Sequence, residues 1–188
     1  NNPKGYEIYI TEGTPLNRSD KRAYDYLGVT EKTVSKKDKD IDLKIRNFMC
    51  QNFYDIRAFG AVMTTFVKAK LNCGQVRGPV QIGFARSIDP IMQQEISITR
   101  VAITTEVDFE KKGNEMAPKY VVPYALYRAD GFISASLAQR VTGFSEEDLE
   151  LLWEAIVNMF EHDHSAARGK MVVRELIIFK HDDILGNA

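Results

Sequence analysis

The stretch GQVRGPVQIGFARSIDPI, Gly74 to Ile91, decides how this chain is read. Val80, Ile82 and Phe84 alternate with Gln81, Gly83 and Ala85, the two-residue period of a β-strand. The first set makes a face for the core. The second is nearly flat, and small residues on a strand let another backbone, from protein or ligand, come close. Pro79 suits the first residue of a strand. Pro90 pushes Asp89 toward an extended conformation in the closing SIDPI turn. Arg77 and Arg86 stand at the two ends. Arg86 shares the parity of Phe84, but at a strand end its head can swing to solvent.

Working upstream, GYEIYI predicts a short strand at Tyr6–Ile10, and TEGTPLNRSDK a loop. KRAYDYLG predicts a short helix ended by Gly28. TEKTVSKKDKD is a charged run, read as a solvated loop. Ile41, Ile45, Phe48 and Met49 fall on one helical face, so a helix is expected from Asp40 to Gln51, with Lys44 and Arg46 off that stripe. Tyr54, Ile56 and Ala58 alternate with Asp55, Arg57 and Phe59, which predicts a strand broken at Gly60.

Downstream, EISITRVAITTEVDF and YVVPYALYRADGFISASLA read as two strands around the basic turn EKKGNEMAPK. Together they predict a long hairpin from Glu95 to Ala135, with Pro123 marking an edge. FSEEDLELLWEAIVNMFEH is the clearest helix. Ser145 is an N-cap with Asp148 three residues on, and Leu149, Leu152, Trp153, Ile156, Met159 and Phe160 form its apolar stripe. Acidic residues fill its first turns, where the helix dipole favours them. MVVRELIIFKH predicts a final strand. No G-x-G-x-x-G or P-loop occurs, which disfavours a doubly wound nucleotide fold. An α+β domain, with helices on one face of a mostly antiparallel sheet, fits the order best.

Composition narrows the class. A chain of 188 residues with 44% hydrophobic content supports an ordinary core. Its net charge is −1, from 25 basic and 26 acidic residues, so global charge does not announce a nucleic-acid binder. Charge is uneven, however: five acidic residues crowd between Ser145 and Ala155, leaving the rest more basic. Cys50 and Cys73 form no C-x-x-C and read as two reduced thiols. There is no secretory leader pattern and no apolar run of bilayer length, so a cytoplasmic protein without membrane partners is expected.

EHDH packs Glu161, His162, Asp163 and His164 together, and His181 precedes two aspartates. A metal nuclease uses such groups. Here the two histidines lie where a helix unwinds, without i, i+4 geometry, and helix C-termini favour cations on their own account. No metal site is expected. Ser165 lacks a G-x-S-x-G elbow, so hydrolase chemistry is not expected either. The arginines say more. Arg46, Arg57, Arg77, Arg86, Arg100, Arg128 and Arg168 have few carboxylates beside them in sequence. Singly each is ordinary solvation; as a set they suit phosphate, which the planar guanidinium grips by two oxygens. Lys111, Lys112 and Lys119 surround Met116, and an apolar side chain on a basic finger can wedge between bases.

FYDIRAFGAVM, NCGQVRGPVQIGFARSIDPI, PYALYRADGFISA and MFEHDHSAARGKM, in that order, resemble the backbone subunit of the type I-C CRISPR Cascade, in the RAMP superfamily. The likeness spans Gly5 to His181. It implies a single RRM-like, ferredoxin-like domain over residues 1–188, with a β-hairpin thumb at about 95–135. It implies a non-catalytic subunit without cofactor that polymerises along CRISPR RNA beside other copies of itself and other Cascade subunits, while target DNA pairs with the guide. Family members open with a Phe- and Val-rich strand, an NPNGD-like loop and a first helix; those are not found here, so an N-terminally incomplete domain is expected. The resemblance assigns RNA contact to Arg46 and Arg57, to Arg77 and Arg86 beside the flat strand, to Thr99 and Arg100 at the thumb root, and to Met116 near its tip. Arg128 and Arg168 complete the set. The rival reading is a RAMP-type endoribonuclease that processes CRISPR RNA, with His162 and His164 as its acid–base pair.

Overall fold

The computed structural model describes residues 5–30, 40–63, 66, 75–100, 102, 106, 115–166 and 168–186. The chain divides into two units. One comprises Asn1–Ile82, Gly131–His164 and Lys170–Ala188; the other comprises Gly83–Asp130 and Ser165–Gly169. The class is α+β. Strands pair in four two-stranded antiparallel ribbons among the described residues.

In the first unit, α1 (Asn17–Leu27) ends where Gly28 turns left-handed at φ 66°. The Gly28 and Val29 amides then donate back to Asp25 and Tyr24, so the last carbonyls are satisfied. α2 (Ile41–Asn52) lies where the spacing places it, burying Ile41, Ile45, Met49 and Cys50. These pack with Tyr9, Ala23, Tyr24, Phe53, Ile56, Met63, Phe66 and Val76 in one cluster. Each fully buried large side chain there stabilises the fold by roughly 1.5–3 kcal/mol.

The strands expected at Tyr6–Ile10 and Tyr54–Phe59 differ. Tyr6–Ile10 forms only an isolated bridge, Glu7 to Phe53. The Tyr9 and Ile10 amides donate to the two carboxylate oxygens of Asp55 at 2.8 and 2.9 Å. A carboxylate takes the donors that a neighbouring strand would have taken. Residues Tyr54–Phe59 form a helix, α3, and not a strand. Tyr54, Ile56, Arg57 and Ala58 are all buried, on both parities, which no half-exposed strand permits. Six residues are too few for period alone to separate helix from strand.

Gly60 ends α3 at φ 77° and opens β1 (Gly60–Val62), which pairs with β2 (Gln75–Arg77). The two backbones nearly touch. A Cβ on Gly78 would lie 2.2 Å from the Phe59 carbonyl carbon and 2.3 Å from the Gly60 nitrogen. The smallness of Gly78 thus admits the protein's own chain.

β3 (Val80–Ile82) pairs with β8 (Gly131–Ile133), closing onto α4 (Ala135–Leu137) and a π-helical turn, Ala138–Thr142. α5 (Glu146–Asn158) starts with the capping box foreseen in the sequence: Ser145 Oγ accepts from the Asp148 amide at 3.2 Å, and the Asp148 carboxylate accepts from the Ser145 amide at 2.9 Å. Leu152 is buried in a second cluster with Tyr54, Ala58, Val80, Ala138 and Phe144, and Leu149, Trp153 and Ile156 pack against it. Met159, expected in that stripe, is exposed. The expected last strand, 171–181, joins no ladder among the described residues, and Ile177 and Phe179 on it are exposed.

Asp148 also reaches Arg57. The guanidinium donates Nε to Oδ2 at 2.8 Å and Nη2 to Oδ1 at 2.7 Å, and Nη1 donates to the Gly5 and Cys50 carbonyls. Burial opposes ionisation of Asp148, yet the Arg57 fork and the Ser145 donors together hold its carboxyl below the usual carboxylate range. Tyr54 Oη donates to the Asp148 carbonyl at 2.8 Å.

The second unit carries β4 (Arg86–Ser87) paired with β7 (Tyr127–Arg128), and the hairpin β5 (Gln94–Arg100) with β6 (Glu115–Val121). The hairpin expected over 95–135 is replaced by the β5–β6 ladder, whose second strand takes in Glu115–Lys119 of the expected turn; the residues after it turn back to pair with β4 and β3. Lys111, Lys112 and Cys73 lie outside the described residues.

Removing one partner of a buried ion pair strands the other charge. Asp148→Ala should therefore cost about 3–5 kcal/mol in urea unfolding, while Glu147→Ala on the same turn stays within about 0.5 kcal/mol. Gly78→Ala has to push the facing backbones away from each other and should cost about 3 kcal/mol or more. Gly131→Ala, whose Cβ would meet its nearest atom at an ordinary 3.5 Å, should cost under about 1 kcal/mol in the same measurement.

Candidate functional site

The arginines picked out in the sequence separate by environment. Arg57 is 7% exposed, and four of its five N–H donors go to Asp148 and two carbonyls. Its planar head also lies 5.4 Å from the Tyr6 ring centre and 5.5 Å from that of Tyr54. This corrects the expectation that Arg57 faces a ligand: its donors are engaged inside the protein. Arg46 on α2 is half-buried, with its Nε closed to solvent and without a partner. Arg77, at the end of β2, is exposed. Burial pushes the thiol of Cys50, beside these groups, up to about 11 against the pull of Arg46 and Arg57, so it stays protonated at neutral pH.

The second unit gathers the others. Arg86 and Arg128 are directly opposite on β4 and β7, with Ser87 opposite Tyr127. Arg128 donates to Asp130 at 3.0 Å, both side chains being well exposed. Arg86 is exposed and makes no ion pair among the described residues. Like charges directly opposite across a ladder repel, and one exposed carboxylate offsets little of that. Such a pair is stable where an anion lies between the two forks, and two guanidiniums side by side match successive oxygens of a phosphodiester.

Thr99 and Arg100 lie at the end of β5, opposite Met116 and Glu115 respectively. Met116 is 70% exposed on the ladder itself. Arg168 belongs to the short Ser165–Gly169 segment of the same unit, where its amide donates to the Ser165 carbonyl. Ile82 and Phe84 were expected to continue the core face of Val80. Val80 is buried, but Ile82 is 53% exposed and Phe84 97% exposed.

The reason for Phe84 is a register change. The Gly83 amide donates to the Asp130 carbonyl at 2.8 Å, and Arg86 is opposite Arg128. Two residues, Phe84 and Ala85, therefore span the gap that Ala129 spans alone, which is the count of a β-bulge. A bulge re-aims a side chain, and alternation in the sequence cannot reveal where it falls. The one legible signal was the run of small residues around it.

Other chemistry is thin. Among the described residues no group of three or more His, Cys, Asp and Glu could hold a metal ion. His162 and His164 are exposed, and His164 Nδ1 lies 2.9 Å from the Glu161 carbonyl. A polar cleft in the first unit, lined by Asn47, Gln51, Gln139 and Arg140, sits over the Arg57–Asp148 pair.

If Arg86 and Arg128 oppose each other without an anion, removing one charge relieves strain. Arg86→Gln should leave stability unchanged or raise it by up to about 1 kcal/mol at low salt, and the gain should shrink as salt screens the pair, read by urea unfolding at two ionic strengths.

A family model described as CRISPR-associated protein Cas7 matches the chain over residues 1–188. No curated protein matches it.

Proposed function

This chain belongs to the family of CRISPR-associated protein Cas7, and from that premise we propose that it is the backbone subunit of a type I-C Cascade. Membership carries the coarse function, a CRISPR-associated, RNA-binding backbone subunit of Cascade-type complexes. The finer reading is ours. Copies of the chain line up along the guide segment of a CRISPR RNA in an RRM-like arrangement, beside other Cascade subunits. The β5–β6 hairpin serves as the thumb, and target DNA pairs with the exposed guide bases. The chain itself performs no chemistry and works in the cytoplasm; no helix among the described residues is long and apolar enough to cross a membrane.

The observation that supports this best is the Arg86–Arg128 opposition. A guide carries any sequence, so its holder has to grip phosphate and ribose and leave base edges alone. Paired exposed guanidiniums do that. Arg77, Arg100 and Arg168 extend the same capacity, and Arg46 is retained as a candidate whose unpartnered Nε is available only after a small opening. Thr99 and Met116 are the proposed thumb contacts. Arg57 is left out, because its donors are engaged within the fold.

The test is binding of several guide RNAs of unrelated sequence at rising salt. Affinity should fall linearly on logarithmic axes, by about 0.7 in slope for each phosphate neutralised on a single strand. Arg86→Glu and Arg128→Glu should weaken all guides alike and flatten that slope. A loss confined to one sequence would sink the phosphate role. Cleavage of repeat RNA that vanishes in His162→Ala and His164→Ala would establish the endoribonuclease instead.

A further inference from the structure

We propose that Phe84 is a base-stacking residue, so that the β4–β7 ribbon grips a single strand by both its phosphates and its bases. The inference rests on the reading of this ribbon as an RNA contact and adds to it a residue that the arginine pattern does not include.

Three observations converge on Phe84. It is 97% exposed, the most exposed of the chain's large hydrophobic side chains among the described residues. Leaving an aromatic ring in water forgoes the stabilisation that burying it would contribute. A fold that keeps Phe there against the alternation of its own strand is arranged to present it. The presenting device is the bulge, in which Phe84 and Ala85 together face Ala129. Bulges turn side chains away from the ladder, and this one falls two residues before Arg86.

The neighbourhood selects the partner. An exposed aromatic ring alone could meet another protein, a lipid or a base. Here two guanidiniums, Arg86 and Arg128, stand opposite each other on the adjoining ladder. A protein partner would have to bring a carboxylate to Arg86, Arg128 already having Asp130, and a flat apolar contact beside two exposed cations carries a desolvation cost. Single-stranded nucleic acid satisfies both features with one repeating unit. Each nucleotide offers a phosphate to the forks and a π-face to the ring, and stacking is indifferent to which base supplies it. Sequence tolerance, required of a guide holder, is therefore preserved.

The experiment uses the full chain and a fluorescein-labelled, unstructured RNA of mixed sequence, with Phe84→Ala, Phe84→Leu, Phe84→Trp and Arg86→Gln compared at two salt concentrations. Because Phe84 is exposed, all three ring variants should melt with the parent. Phe84→Ala should bind about 5- to 150-fold more weakly, the range for loss of one stacked base. Phe84→Leu, which keeps apolar bulk without a π-face, should lose most of the same affinity, and Phe84→Trp should keep it. Phe84→Ala should leave the salt slope unaltered, whereas Arg86→Gln should flatten it. On an RNA whose bases are replaced by abasic sites, parent and Phe84→Ala should bind alike.

Binding of Phe84→Ala or Phe84→Leu within about two-fold of the parent, while Arg86→Gln is impaired, overturns the stacking role and leaves the phosphate reading intact. Failure of the parent to bind RNA overturns both. A change confined to sedimentation of the protein alone overturns stacking in favour of a contact between copies.

Discussion

Two opposite charges taken out of water tie together the helical unit of this chain. Arg57 comes from α3 and Asp148 from the first turn of α5, 91 positions apart. Burying an ion pair is costly unless every donor and lone pair finds a partner. Here the fork meets both carboxylate oxygens, two carbonyls take two more of its five donors, and two tyrosine rings lie within 5.5 Å of its carbon. The same carboxylate closes the capping box by accepting from Ser145. One side chain thus starts a helix and anchors it to another, and a lysine, with a point charge and three donors, could not make the same set of contacts.

This arrangement divides the cations by role. Where a buried carboxylate waits, as for Arg57, the guanidinium joins the framework. Where the chain offers only exposed carboxylates, as Asp130 does for Arg128, it stays in solvent and keeps donors for an external anion. Sequence spacing cannot distinguish these cases, since the partner of Arg57 is remote along the chain while Asp130 is two residues from Arg128. Burial decides, and it decides in a direction that local charge density does not indicate.

The glycines divide in a similar way. Gly78 and Gly60 let two segments of the protein's own backbone meet. Gly83 instead precedes the bulge, donating to the Asp130 carbonyl just before the extra residue is inserted. The tightest approach does not fall on the small face expected to admit another backbone, Gln81, Gly83 and Ala85, but at Gly78, before β3 begins. What approaches at Gly78 is the β1 segment, and the surface offered outward lies further on, at Phe84 and the opposed arginines.

What was legible without coordinates was whatever depends on neighbours in the chain. The α2 stripe, the Ser145–Asp148 cap, the Leu149–Leu152–Trp153–Ile156 face, the first strand of the hairpin and the α+β class all follow from spacing and propensity. Four long motifs in order also carried the likeness to the Cascade backbone, which the match to the Cas7 family supports at the coarser level. Tertiary structure alone made 54–59 a helix, drew Arg57 inside, set Arg86 against Arg128 and turned Phe84 outward. Each of those depends on a partner distant in sequence or on a one-residue shift in register, and a linear pattern carries no record of either.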